Sequence, residues 1–250
     1  MKAIVHSEAL KLRASLVGRV GTLAIIGGIA LLSGGMLLAV VTGQPDLVAK
    51  LGPAATADWA GLLSTAAQIT GAGGLLGCGV VLSWMFGREF ADATVSGLFA
   101  LPVGRGRIAA GKLAVFALWA CGTAIGATCA VLVVGLVAGL GAPSPAVWAG
   151  LGRHAALVVF SCAIVVPVAW VTTLARSTLG GVTATIVIVV VAQVGVLAGA
   201  GGWMPLAAPT LWAMSGGNAV TPLQLAITLA VAAVSAVLVV HAWHRLQLDR

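Results

Sequence analysis

Few residues in this chain could do chemistry. Its 250 residues include four histidines, four cysteines and six acidic residues, and no tyrosine. His241 and His244, three apart, share one helix face and could offer two metal ligands, but no third accompanies them. His6 and His154, like that pair, stand near the ends of apolar segments and read as interfacial. There is no His-Glu-x-x-His and no Gly-rich loop ending in Lys-Ser/Thr, so neither zinc hydrolysis nor nucleotide hydrolysis is expected of this chain. Cys78, Cys121, Cys129 and Cys162 all fall inside apolar segments without a Cys-x-x-Cys, which fits small core residues rather than a metal site or disulfides. No catalytic residue and no metal is assigned.

The most pointed polar group lies between two long apolar runs. Arg88, Asp92 and Ser96 recur every four residues and would form a polar stripe, with Arg88 placed to pair with Asp92. Phe90, Thr94, Leu98 and Leu101 would form the opposite stripe, and Pro102 would end the helix. The spacing predicts one short helix over 88–100, followed by basic Arg105, Arg107 and Lys112. Its chemistry is that of a docking element for a cytoplasmic partner; a plain interfacial helix is the alternative.

The elements that would position it are membrane spans. The chain is 60% apolar and 8% charged, where a soluble domain carries roughly 25% charged residues. Its 34 glycines suit close helix contact in lipid. A bilayer core needs about 20 apolar residues per helix. Six segments qualify, at about 20–42, 61–86, 112–140, 151–175, 178–200 and 222–243, none with an acidic residue. Pro167 predicts a kink in the fourth, and Thr221-Pro222 an N-cap and first helical position for the sixth. Residues 1–18 predict an amphipathic interfacial helix with Val5, Ala9, Leu12 and Leu16 on its apolar face. Charges spread through that stretch argue against a cleavable leader. The run 203–214, broken by Pro205 and Pro209, is too interrupted to span and predicts a re-entrant piece.

Loop charges predict the orientation. Lys2, Lys11, Arg13, Arg19, Arg88, Arg105, Arg107, Lys112, Arg176, Arg245 and Arg250 fall on one side, eleven in all, against Lys50 and Arg153 on the other. Both termini are therefore expected in the cytoplasm, with Trp59, Trp148, Trp203 and Trp212 near the outer interface. The formal charge of +7 follows from topology rather than from nucleic-acid binding. The fold class is an all-α polytopic membrane protein, a single transmembrane domain over 1–250. Spans without an acidic residue argue against a self-powered ion-coupled transporter. Uncharged polar residues remain inside them: Gln68 with Ser64, Thr65 and Thr70, and Gln193 with Thr183 and Thr185. They fit either a shared polar pathway or hydrogen bonding between packed helices.

The stretch Phe86-Gly87-Arg88-Glu89-Phe90-Ala91-Asp92-Ala93-Thr94-Val95-Ser96-Gly97-Leu98-Phe99-Ala100-Leu101-Pro102-Val103-Gly104-Arg105, followed by Gly111-Lys112-Leu113, resembles the membrane subunit of ABC-2 type exporters. That family often has an acidic residue after span two, a Gly-Thr pair, a Leu-Leu-Ala-Leu-Pro-Val-Ser-Arg-like run and a Lys opening span three. Glu89, Ala93-Thr94, the run 98–105 and Lys112 occupy these places, with Ala93 for the usual Gly and Gly104 for the usual Ser. The resemblance implies a permease of a bacterial inner membrane, embedded in lipid and forming a homodimer or heterodimer. It would work with two separate ATPase subunits that bind ATP and Mg, so this chain would carry no cofactor. It implies ATPase coupling through Arg88, Glu89, Phe90, Asp92, Thr94 and Leu98, and a substrate pathway at Thr65, Gln68 and Gln193. The cargo implied is a hydrophobic or amphipathic molecule such as a drug, antibiotic, peptide or lipid. Two other readings are an intramembrane enzyme acting on lipid or peptide, and the substrate-capture subunit of an energy-coupled importer.

Overall fold

The computed structural model describes residues 1–44, 46, 56–94, 97 and 102–247. Helix α1 (Lys2–Ala14) turns at Ser15 into α2 (Leu16–Val41). Then come α3 (Trp59–Ile69), a π-helical segment (Thr70–Gly74) and α4 (Leu75–Ala91), which run on as one rod. Helices α5 (Arg105–Val137), α6 (Pro145–Ile164), α7 (Val166–Ala175) and α8 (Thr178–Leu197) follow. A short 3₁₀ turn (Gly201–Trp203) leads to α9 (Ala208–Met214) and the last helix, α10 (Pro222–Arg245). There is no strand among the described residues, and six helical rods are long and apolar enough to cross a membrane.

Five of the six rods outrun the apolar segments read from the sequence, because their polar ends stay helical, whereas the fifth ends at Leu197, short of 200. The second, Trp59–Ala91, has 33 residues and so is about 50 Å long, well beyond the roughly 30 Å of a hydrocarbon core. The third starts at Arg105 rather than near 112, and the fourth at Pro145 rather than near 151. Lys112 and His154 therefore stand two turns or more inside their helices. The fourth rod breaks at Val165, where the Val168 amide bonds the Val165 carbonyl at 2.9 Å and Pro167 has no amide to offer. Arg176, left-handed at φ 49°, closes the hairpin into α8. At α10, Thr221 and Gln224 form a reciprocal capping box with Pro222 in the first turn.

The turn between α1 and α2 is held by Ser15, whose hydroxyl accepts from the Gly18 amide at 2.9 Å. Gly18 packs so close that a Cβ there would sit 2.1 Å from the Leu12 carbonyl oxygen. The face of α1 that meets the bundle differs from the expected apolar stripe. Glu8 and Leu12 are buried and Val5 partly so, while Ala9 and Leu16 are exposed. A buried carboxylate selects the face, as set out below.

The second rod is the axis of the bundle: 61% of its apolar window is buried, against 17% for α8, its neighbour. Those two pack as an antiparallel zipper of glycines and hydroxyls. A Cβ on Gly87 would meet Thr178 Oγ1 at 2.2 Å, one on Gly181 would meet Ser83 Oγ at 2.7 Å, and one on Gly79 would meet Thr185 Cγ2 at 2.1 Å. Further along, Gln193 Nε2 donates to the Gly71 carbonyl in the π segment at 3.5 Å. The four meeting points lie in one register, so α8 lies flush on the second rod. Trp59, the first residue of the second rod, is buried against Gly135 with its indole donating to the Gly141 carbonyl at 3.3 Å. The stretch before the last span packs over the same end of the bundle, with Ala207, Ala208 and Pro209 buried.

The zipper gives a direct test. Gly79→Val should destabilise the protein by about 1–3 kcal/mol through overpacking, read as a lower melting temperature in detergent. Gly27→Ala, where a Cβ meets nothing within 4 Å, should leave that temperature unchanged or slightly raised.

Candidate functional site

The site begins where the second rod ends. The Asp92 amide bonds the Arg88 carbonyl at 2.8 Å, the Ala93 amide bonds Phe90 at 3.3 Å, and the Thr94 amide reaches back to Glu89 at 3.0 Å. With Ala93 left-handed at φ 54°, this is a Schellman ending. It corrects the expectation of one helix over 88–100: residues 88–91 are the last turn of α4, and the chain reverses at 92–94. A continuous helix cannot pass through a left-handed residue. Ser96, Leu98 and Leu101, which completed the two expected stripes, lie outside the described residues.

The six expected coupling residues part company here. Arg88 pairs with Asp92 at 3.8 Å on the surface and lays its guanidinium 4.6 Å from the Trp84 ring centroid. Such an exposed pair contributes little to stability. Phe90 leans edge-on against Trp243 at 6.4 Å between centroids. Trp243 is itself fully buried, packed on Phe86 and donating to Thr173 Oγ1 at 3.0 Å. Glu89 points the other way, into the protein, with 1% of its surface exposed. Thr94 follows it, its hydroxyl donating to Glu89 Oε2 at 2.6 Å. Leu98 lies outside the described residues.

What Glu89 meets was not foreseen. Lys112, 0% exposed, donates to Glu89 Oε1 at 2.7 Å and to Glu8 Oε2 at 2.7 Å. Lys11 donates to Glu8 Oε1 at 2.8 Å and to Glu89 Oε1 at 3.2 Å. Two carboxylates and two ammonium groups thus close a neutral cluster joining α1, α4 and α5. Burial, the largest single influence on Lys11, would lower its pKa. The hydrogen bond and charge of Glu8, and then the charge of Glu89, outweigh it, so the pKa is raised above its ordinary 10.5. The contribution of Lys11 is therefore complete at neutral pH and fades only as pH climbs through that raised value. Sequence reasoning placed Lys112 at the end of an apolar segment and Glu8 among the charges spread through residues 1–18. The one signal was scarcity: a carboxylate among apolar neighbours in so charge-poor a chain needs a cation.

The termini of neighbouring rods meet at this end of the bundle. Arg105 donates to the Leu246 carbonyl, and Arg176 Nη2 to the Gln247 carbonyl at 2.9 Å. The expected pathway residues are not gathered in this way. Thr65 is buried, Gln68 is exposed and Gln193 is half-buried on Gly71, with no hydrogen bond joining the three among the described residues.

His154 needs correcting as well. It is 2% exposed rather than interfacial, because α6 begins at Pro145. Its Nε2 lies 3.1 Å from Thr70 Oγ1 and its Nδ1 3.0 Å from Thr128 Oγ1. Thr70 gives its own proton to the Ala66 carbonyl at 2.7 Å, so it accepts from Nε2–H, and Thr128 engages Nδ1. Both ring nitrogens are thus bonded within the protein. His241 and His244 are exposed, and no cluster of three possible metal ligands occurs among the described residues.

Six apolar rods of spanning length, with an N-terminal helix bonded to them through buried charge, define an all-helical polytopic membrane protein. A family model described as ABC-2 family transporter protein matches residues 4–192, from α1 through most of α8. The chain belongs to that family, whose membership implies a membrane permease subunit of an ABC transporter and association with ABC ATPase partners. No curated protein matches it significantly.

Three substitutions test the site. Lys112→Met leaves two carboxylates sharing Lys11 and should cost about 3–5 kcal/mol, seen as a large fall in folded yield or melting temperature. A Glu8→Gln change in that background should recover part of the loss. Ala93→Gly relieves a left-handed alanine and should stabilise by up to about 1 kcal/mol; an unchanged melting temperature would count against the Schellman ending.

Proposed function

We propose that this chain is the membrane-spanning half of an ATP-driven exporter, carrying a hydrophobic or amphipathic molecule (a drug, antibiotic, peptide or lipid) out of the cell. Two permease chains, identical or paired with a related one, would sit in a bacterial inner membrane over two ATPase subunits. Those subunits would hold ATP and Mg. Both termini would face the cytoplasm, which the eleven-to-two distribution of Lys and Arg supports.

One observation carries the coupling. The end of the second rod is bonded through Glu89 to Lys112 and Glu8, immediately before the chain leaves toward 95–101. Force from an ATPase seated on that loop would enter the bundle at the Schellman turn. It would reach α1, α4 and α5 together, since separating the buried charges costs several kcal/mol. Asp92 is exposed and Arg88 half-buried beside the turn, where a partner can reach the carboxylate and the end of the guanidinium. Glu89 acts through the cluster and not by touching the partner. Gln68, exposed on the second rod, would face the pathway between two permeases, with Thr65 and Gln193 behind it.

Co-expression with a candidate ABC ATPase should give a complex that co-purifies. Asp92→Arg and Arg88→Glu should each lower transport-coupled ATPase activity about tenfold, a typical size for coupling between sites, with the permease still folded. Glu89→Arg should lower the folded yield instead. Full coupling in the Asp92 and Arg88 variants would remove them from the docking surface.

A further inference from the structure

A cavity of about 310 Å³ lies at the end of the bundle away from the charge cluster, between α3, α6 and α9. Most of its wall is apolar, including Leu63, Val147 and Met214. Its polar groups are Ser64, Arg153 and His154. His154 is wall only, since both ring nitrogens are taken by Thr70 and Thr128.

Arg153 is the charge in this lining. Its side chain is half-buried, running under the Gly216-Gly217 turn, where a Cβ on Gly217 would stand 3.7 Å from Arg153 Cδ and 3.5 Å from Trp212 Nε1. No carboxylate among the described residues pairs with it. Asp58, the N-cap of α3, is occupied by the Gly61 amide at 2.9 Å and the Thr56 hydroxyl at 2.8 Å. The stretch 47–55 contains no acidic residue. A guanidinium stays charged at any physiological pH, and when held in a mostly apolar recess it needs an anion or water to satisfy its donors.

We propose that this cavity binds the head group of a singly charged anionic amphiphile, a carboxylate or a phosphate. Arg153 would form the charged contact, Ser64 would add a hydroxyl, and Leu63, Val147 and Met214 would line the apolar part. One cation among apolar walls matches one negative charge on an apolar body. A highly charged solute would leave its other charges without partners. In the exporter proposed above this is the exit side, so the site would hold cargo, or a lipid that shapes the exit, as it leaves. The word exit rests on that reading; the binding does not.

The test uses the full chain in phosphatidylcholine nanodiscs, with 9,10-dibromostearate as the probe and tryptophan fluorescence as the signal. The share due to Trp212 is obtained by difference against Trp212→Phe. The expected result is saturable quenching of Trp212, at least about tenfold weaker in Arg153→Gln and largely kept in Arg153→Lys. The methyl ester of the probe should not saturate. Brominated phosphatidylglycerol in place of the fatty acid separates the two sources of the anion: saturation with it alone assigns a lipid phosphate, and saturation with the stearate assigns a free carboxylate. Equal quenching in wild type and Arg153→Gln, or by acid and ester alike, overturns the proposal. A permease that fails to co-purify with an ATPase would end the exporter reading and leave these quenching results standing.

Discussion

Everything at one end of this molecule depends on four charges that cannot leave one another. Lys112 is sealed from solvent, and its two partners come from segments far apart in the chain, Glu8 in the first helix and Glu89 near the end of the second span. Two buried carboxylates need two cations, and Lys11 is the second. Such a cluster adds little net stability over an apolar one of the same shape. Losing a single member is costly, because the remainder is buried charge without balance. Its value is in specificity: it fixes which face of α1 meets the bundle and at what height α4 and α5 stand side by side.

The same logic explains why α1 turns only the Val5 and Leu12 edge of its apolar stripe to the bundle. Glu8 lies about 70° from the centre of that stripe, so a helix with the stripe centred inward would carry Glu8 to the edge of its contact with Lys112. Rotating the helix to bring in Glu8 exposes Ala9, and Leu16 lies beyond the Ser15 turn at the start of α2. An alanine at a membrane interface loses little by this, while an unbalanced buried ammonium loses several kcal/mol. Beyond the cluster, the second span is held by shape: glycines at 79 and 87 admit threonines of the fifth span, and Gly181 admits Ser83. Charge at the end and close packing along the shaft make this rod the member through which the others are related.

The parts of the fold that were legible in the sequence are local ones. Span number follows from the length of apolar runs, the cap of the last span from Thr221-Pro222, and the break in the fourth from Pro167. Each depends on residues within a turn or two of one another. What was not legible joins positions of roughly the same depth but distant number. Glu89 with Lys112, Glu8 with Lys112, and His154 with Thr70 and Thr128 leave no periodic trace. Helix ends were misplaced for a related reason. The charged residues at 88, 89, 105 and 107 stop an apolar count, yet the backbone stays helical through them, and Glu89 finds its cation inside the protein in Lys112. The docking helix was drawn through Ala93 because an alanine gives no warning of a left-handed turn, where a glycine would have.

That alanine also locates where motion can enter. A Schellman ending locks the last turn of α4 to the three residues after it, through the Thr94 amide on the Glu89 carbonyl and the Thr94 hydroxyl on the Glu89 carboxylate. Thr94 therefore bonds to both the backbone and the side chain of the residue that holds Lys112. Displacement of the chain beyond Thr94 cannot be absorbed by unwinding the turn without also loosening a buried carboxylate. It is passed instead to the neutral cluster and from there to α1 and α5. In the proposed exporter, a partner's push on the loop would be shared by three helices before it reached the π segment at Thr70–Gly74. There the second span departs from α-helical geometry and meets both Gln193 and His154. In that exporter the stiff end would gather the force, and the irregular segment halfway along would be where the rod yields.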